Sequence, residues 1–278
     1  MTSNEPELTQ GRARKALGQH FLHDPDILRR TALAAGPVEG RTVIEVGPGP
    51  GGLTRALLRE GAARLIAVEA DPRFAEALET WPETREGRLR VFHRDARKVD
   101  WQAMIMEAGG THPAMIIANL PYNVGTPLLI EWLKTGDWRG EMALMFQKEV
   151  AERIVAGPNT PHYGRLAVLT HAVCNAHIAL TLPPGAFKPP PKVDSAVAVL
   201  TPLQPEKRFG DLATLEKVTT AAFGQRRKML RASLKSLAKT REIDAVEWLT
   251  QCGIDPTARA ETLTQDEFRR LATALPAL

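Results

Sequence analysis

Short apolar runs, each closed by a turn and followed by a helical spacing of apolar positions, recur through the first two-thirds of the chain. Residues 41–46 predict a strand, and the glycine- and proline-rich stretch 47–52 predicts a turn into a helix over 53–59. A second strand is expected over 65–68, ending in Glu69, and Asp71-Pro72 caps a helix that runs to Leu78. Residues 89–93 form a third expected strand leading to Asp95, and residues 114–118 a fourth leading to Asn119. Thr126-Pro127 opens a helix through Leu133, and residues 142–146 read as a fifth strand with a helix after it to about Ile154. Ahead of all these, Asp24-Pro25 starts a helix carrying Ile27, Leu28, Ala32 and Leu33, which Gly36-Pro37 stops. Two later strands, over 176–182 and 193–200, flank a proline-rich link and predict an antiparallel hairpin at one sheet edge.

Strands that alternate with helices in this way give an α/β fold with a parallel sheet covered on both faces. After Thr201, Pro202 and Pro205 mark a linker, and the remainder has helical patterns only. The expected organisation is therefore an α/β domain over 1–203 and a small helical domain over 204–278, with Trp248 and Leu249 in the core of the latter. No internal repeat is present.

Composition narrows the class of protein. The chain has 278 residues and is 44% hydrophobic, enough for a sizeable core, yet no apolar run approaches the ~20 residues of a membrane span. Residues 1–10 are polar and acidic, so a cytoplasmic protein without a membrane partner is expected. Cys174 and Cys252 are far apart, and His162, His171 and His177 have no ligand spacing, so reduced packing thiols and no metal are expected. The net charge of +4 permits a nucleic-acid partner, and its distribution favours one. Arg12, Arg14 and Lys15 precede the stretch 17–22, and residues 226–239 carry Arg226, Arg227, Lys228, Arg231, Lys235 and Lys239 with no acid among them. With Met229, Leu230, Leu234 and Leu237 as an apolar stripe, such a run is commonly a solvated helix face. Its lack of compensating carboxylates favours phosphate contact instead.

Candidate chemistry lies at the strand ends. Gly47, Gly49 and Gly51 let the backbone approach a ligand, Glu69 can accept two ribose hydroxyls, and Asp95 can accept an adenine amino group. Glycines alone would fit a nicotinamide-dependent reductase equally well. Pro48 and Pro50, however, remove two backbone donors and make a poor cradle for a pyrophosphate. After the fourth strand comes Asn119-Leu120-Pro121-Tyr122. On its own this is a turn with a packed Tyr; at a strand's carboxyl end, in this order of features, it suits gripping a planar exocyclic amine.

The chain resembles the KsgA-type ribosomal RNA adenine dimethyltransferases along nearly its whole length. The residues that carry the resemblance are Leu17-Gly18-Gln19-His20-Phe21-Leu22, Ile44-Glu45-Val46-Gly47-Pro48-Gly49, Asn119-Leu120-Pro121-Tyr122-Asn123 and Gln147-Lys148-Glu149-Val150. Ala156-Gly157-Pro158-Asn159, Tyr163-Gly164-Arg165-Leu166 and Phe187-Lys188-Pro189-Pro190-Pro191-Lys192-Val193-Asp194-Ser195 complete the set. The resemblance implies a class I S-adenosylmethionine-dependent methyltransferase: a Rossmann-like, seven-stranded, mostly parallel sheet with a small C-terminal helical domain. It implies S-adenosyl-L-methionine bound by His20, Leu22, Gly47, Gly49, Glu69, Asp95 and Asn119. Many relatives carry Asn where this chain has His20, whose imidazole donates or accepts in a different geometry.

The implied activity is dimethylation of N6 on two adjacent adenosines in the 3′-terminal hairpin loop of 16S rRNA, by a monomer acting on the immature small subunit. Asn119 and the backbone carbonyl of Leu120 or Pro121 would accept the amine's N–H bonds, Tyr122 would stack on one face of the base, and Phe187 on the other. Lys188, beside Phe187, would join Arg12, Arg14, Lys15, Arg226, Arg227, Lys228 and Arg231 in contacting RNA. Two other readings share these motifs: a large-subunit (23S) rRNA dimethyltransferase of the antibiotic-resistance type, and a ribosome-assembly factor whose catalysis is secondary.

Overall fold

The computed structural model describes residues 20–276. Arg12, Arg14, Lys15 and the first residues of the N-terminal motif lie outside them. Two compact units make up the chain, one of residues 1–151 and 177–201, the other of residues 152–176 and 202–278. The expected contiguous first domain ending at 203 is thus corrected: Glu152–Ala176 belong with the C-terminal helices.

In the first unit the strands are β1 (Phe21–Leu22), β2 (Thr42–Val46), β3 (Arg64–Glu69), β4 (Leu89–His93), β5 (Ala114–Asn119) and β6 (Arg139–Gln147). Between them run α1 (Pro25–Ala32), α2 (Gly52–Arg59), α3 (Pro72–Glu79), α4 (Pro82–Arg85), α5 (Trp101–Glu107) and α6 (Gly125–Lys134). The chain continues through α7 (Lys148–Val155), α8 (Arg165–His171), β7 (Cys174–Leu182), β8 (Phe187–Lys188) and β9 (Ser195–Pro202). The seven-stranded sheet has the order β4-β3-β2-β5-β6-β9-β7. Pairs β2–β3, β2–β5, β3–β4 and β5–β6 are parallel, while β6–β9 is antiparallel.

Every residue of β2 is buried, as are all but the first of β3 and all but the last of β5. That is why these strands read as continuous apolar runs: helices cover both sheet faces. Asp24 and Asp71 cap α1 and α3 as expected, each side chain accepting from the first backbone amides of its helix. The core places Leu57, Leu65, Met115, Ile117 and Val197 together with Leu22 and Phe187. The last two belong to a pairing that the sequence pattern does not reveal, a two-stranded antiparallel sheet with Phe21 opposite Lys188 and Leu22 opposite Phe187.

The chain winds outward from β2 through β3 to β4, then returns to place β5 on the other side of β2. This reversal leaves a crevice at the carboxyl ends of β2 and β5, the usual ligand position in open α/β sheets.

The second unit contains α8 and then α9 (Leu212–Gly224), α10 (Leu230–Ser233), α11 (Lys235–Lys239), α12 (Ala245–Gln251) and α13 (Gln265–Ala274). Trp248, Leu249, Phe268 and Leu271 are buried in it, and the Phe223 ring meets Tyr163 edge-on and stacks on Phe268. Helix α13 starts in a reciprocal capping box between Thr264 and Glu267. Cys174 and Cys252 are both buried.

Candidate active site

The crevice between β2 and β5 is lined by His20, Phe21, Val46, Gly47, Gly49, Glu69, Asp95, Asn119, Leu120, Pro121 and Tyr122, with Arg94, Arg97 and Leu128 at its sides. Most of the catalytic and cofactor residues singled out from the sequence therefore meet in one cavity. Leu22, Phe187 and Lys188 do not line it.

The glycine turn spends its backbone donors on the protein itself. Gly47 N–H donates to the Val68 carbonyl at 2.9 Å, Gly49 N–H to Glu69 Oε2 at 3.0 Å, and Gly51 N–H to the Pro48 carbonyl at 3.0 Å. Pro48 and Pro50 have no N–H to add. A pyrophosphate would find few free donors here, which weighs against a dinucleotide cofactor. The glycines also answer to packing: at Gly49 (φ +54°) a Cβ would lie 2.5 Å from the Phe21 ring, and at Gly51 (φ +90°) 2.6 Å from Trp81.

Glu69 is only 5% exposed. Gly49 N–H donates to its Oε2 at 3.0 Å and Asp71 N–H to its Oε1 at 2.8 Å. Burial raises its pKa, and backbone donors from Asp71, Gly49 and Ala70 oppose the rise. Asp95 behaves oppositely. Arg97 donates to both of its oxygens, at 3.0 and 2.7 Å, and holds its pKa down to about 2. Arg97 itself is a residue that sequence reasoning missed; its position two residues after Asp95 was the available signal. Deeper in, Glu45 is 1% exposed and accepts from Thr54 Oγ1 at 2.7 Å, and desolvation pushes its pKa to about 8.

Asn119 ends β5 with its amide fixed. Nδ2 donates to the His20 carbonyl at 2.8 Å. Only the nitrogen end of an amide can face a carbonyl oxygen, so Oδ1 remains as the acceptor. Of the two main-chain carbonyls expected to assist it, that of Pro121 accepts from Val124 and Gly125 N–H at 3.1 Å each, where α6 begins. Both lone pairs are thereby engaged, and the Leu120 carbonyl is the candidate that stays. Tyr122 holds its hydroxyl 2.6 Å from Ser195 Oγ, a fully buried residue at the start of β9. Burial raises the phenol's pKa, keeping it neutral.

One expectation is corrected here. Phe187 is 2% exposed, and its strand pairing with Leu22 turns the ring into the core, so in this conformation it offers no face to a base. The ring that does lie over Tyr122 is His20, with centroids 5.6 Å apart and planes 29° from parallel. Its Nδ1 is 2.8 Å from the Pro189 carbonyl. Leu22 is 7% exposed and borders a smaller adjoining cavity together with Gly47 and Asn119.

The basic stretch also differs from its expected form. Arg226, Arg227 and Lys228 lie on the turn between α9 and α10 instead of on one long helix, and Met229 is 41% exposed. Arg226 has a compensating acid after all: Nε donates to Glu261 at 2.9 Å and Nη2 to the Pro161 carbonyl at 2.9 Å. Arg227, Lys228 and Arg231 are exposed. Lys188 is exposed in the first unit.

Comparisons with known proteins agree with the geometry. The "Ribosomal RNA adenine dimethylase" family model matches residues 10–276. A protein of Xanthobacter autotrophicus named "Ribosomal RNA small subunit methyltransferase A" is 51% identical over 96% of this chain and 90% of its own length. Among solved structures, a dimethyladenosine transferase from Plasmodium falciparum superposes with a TM-score of 0.74 at 26% identity, over 91% of this chain and 96% of that one. The 23S rRNA methyltransferase ErmE superposes with a TM-score of 0.64 over 92% of this chain and 99% of that one, a likeness of fold alone at 24% identity. A buried carboxylate at Glu69, a glycine turn whose N–H groups are bonded within the protein and an amide fixed at the end of β5 thus occur in a chain that belongs to the ribosomal RNA adenine dimethylase family.

Proposed function

We propose that this protein dimethylates N6 of two adjacent adenosines in the 3′-terminal hairpin loop of 16S rRNA, acting in the cytoplasm as a monomer on the maturing small subunit. The observation that carries the chemistry is the fixed Asn119 amide, which lines the same crevice as Glu69 and Asp95 and has Oδ1 as its acceptor end. The family and the 51% identity to a small-subunit methyltransferase support the choice of RNA.

The crevice suits S-adenosyl-L-methionine. Glu69 would hold the ribose hydroxyls and Asp95 the adenine amine, while Val46, Val68 and Ala70 offer an apolar lining. Glycine at 47 and 49 keeps the floor open. When bound, this cofactor supplies an electrophilic methyl group on a sulfonium.

The protein's own task is to make a poor nucleophile competent. The N6 lone pair of adenine is delocalised into the ring. Asn119 Oδ1 and the Leu120 carbonyl accept the two N–H bonds, which favours a tetrahedral nitrogen and stabilises the positive charge that grows on it. This is the charge-reversed counterpart of an oxyanion hole. Neither group needs to ionise, and the Asn119 amide is fixed by its bond to the His20 carbonyl before substrate arrives, so little reorganisation is required. After the first methyl transfer the N6 cation loses one proton to solvent, and either acceptor alone can take the single N–H that remains. Tyr122 supports a base face, and an unpaired loop lets the base leave its stack cheaply. Lys188, Arg227, Lys228 and Arg231, with Arg12, Arg14 and Lys15 of the N-terminal segment, would contact phosphates.

The test supplies purified protein with tritium-labelled cofactor and undermethylated small- or large-subunit particles, followed by nucleoside mass spectrometry. N6,N6-dimethyladenosine in small-subunit RNA is expected. Label confined to large-subunit RNA, or only a single methyl per adenosine, would overturn the proposal.

A further inference from the structure

The Tyr122 ring stands opposite the imidazole of His20, and Phe187 is sealed in the core. A flipped base has two faces, and only one of them is served by Tyr122. We infer that His20 is the second wall of the base slot, so that the target adenine enters between the imidazole and the Tyr122 ring. This rests on the adenine-methylation reading of the same crevice.

The two walls are built differently. Tyr122 is anchored at its far end by the 2.6 Å hydrogen bond with Ser195, which is fully buried. Among the described residues, His20 is held at its ring only by the 2.8 Å approach of Nδ1 to the Pro189 carbonyl. The present centroid separation of 5.6 Å is too small for a third ring. A base needs about 3.5 Å on each side, or roughly 7 Å in all. The slot must therefore widen, and the His20 side chain is the wall free to turn about its own torsions. Its backbone need not follow, because the carbonyl that positions Asn119 belongs to the main chain and not to the ring. One residue thus orients the amine acceptor through its carbonyl and supplies a stacking face through its side chain. An Asn at this position would keep the first role and lose the second.

The experiment titrates wild-type protein, His20→Ala and His20→Phe into a small-subunit hairpin RNA carrying 2-aminopurine at the target position, reading its fluorescence. Calorimetry of S-adenosyl-L-methionine binding and methyl transfer to small-subunit particles accompany it. His20→Ala is expected to weaken hairpin binding about 5- to 100-fold, the range for losing one base-stacking ring. Cofactor affinity should stay at the wild-type value. His20→Phe, which keeps a ring but cannot bond Pro189, should restore RNA binding. Unchanged or tighter RNA binding by His20→Ala would overturn the inference, the imidazole then being a plug over Tyr122. So would a His20→Phe variant as weak as His20→Ala, or a parallel loss of cofactor affinity. If wild-type protein fails to methylate small-subunit particles, the functional reading falls. The hairpin titration still decides on its own whether His20 faces a base.

Discussion

Asn119 Nδ2 donates to the main-chain carbonyl of His20 across 2.8 Å, so the residue that ends β5 is oriented by a residue at the start of the described chain. The bond uses the donor end of the amide and leaves the acceptor end for substrate. An Asp at the same place would set a carboxylate against that carbonyl, a repulsive pairing.

Asn119→Ala should therefore abolish most methyl transfer while cofactor binding largely survives. By analogy with the loss of one oxyanion donor, kcat should fall about 10²- to 10³-fold. A tritium-methyl assay beside calorimetric titration of the cofactor checks this. Equal losses in both would make Asn119 a cofactor ligand first.

Tyr122 and Ser195 should behave as one unit. Ser195→Ala and Tyr122→Phe each break the 2.6 Å hydrogen bond. Each is expected to cost about 0.5–1.5 kcal/mol of stability. The double variant should cost clearly less than the sum, because the shared bond can be removed only once. Urea midpoints of the four proteins close the cycle.

Phe187 should prove to be a packing residue. Phe187→Ala is expected to destabilise by about 3–5 kcal/mol. Phe187→Leu, which keeps most of the apolar volume, should retain RNA affinity. Loss of RNA binding by a well-folded Phe187→Leu would return the ring to the base slot in another conformation.

Glu45 gives a pH signature with a defined sign. Its ordinary pKa of 4.5 is raised to about 8 by burial, so between those values the folded chain keeps a proton that the unfolded chain releases. Stability from this group is complete below about pH 4.5, declines as pH rises through the window, and levels off above about 8. Glu45→Gln should flatten urea midpoints measured across that range and exceed wild type at its upper end. Any remaining slope of the same sign is expected from Glu69, whose pKa burial also raises.

On the basic surface, Arg227→Ala with Lys228→Ala should lower the log–log salt slope of RNA binding by about 0.7–0.9 for each phosphate no longer neutralised. Arg226→Ala should leave it nearly unchanged, because Glu261 and the Pro161 carbonyl already occupy that guanidinium. Filter binding over a salt series separates the two.

The reach of the sequence follows from the range of the forces involved. The parallel strands, Asp24 and Asp71 caps, glycine turn, Glu69 and Asn119 were legible because each depends on periodicity or on neighbours a few residues away. The burial of Phe187 was not, since a two-residue strand carries no period and its partner Leu22 is remote in sequence. Arg226 looked unbalanced because its acid lies 35 residues further on. Pro121 and Leu120 looked equivalent because only the observed backbone turn shows which carbonyl is already engaged. His20 stood out as a departure from many relatives, but only its ring neighbours point to what that departure could do.

The excursion of residues 152–176 away from the first unit, with the chain coming back before β7 is complete, makes the two units inseparable by a single cut. Ending the polypeptide at 203 would strand Ala167, Val168 and Leu169 of α8, which are buried in the whole protein, without the C-terminal helices of their own unit. A lineage that exchanged its helical part for another would need crossovers on both sides of the excursion as well as at the tail. Inheritance of the pair as one block is the simpler outcome.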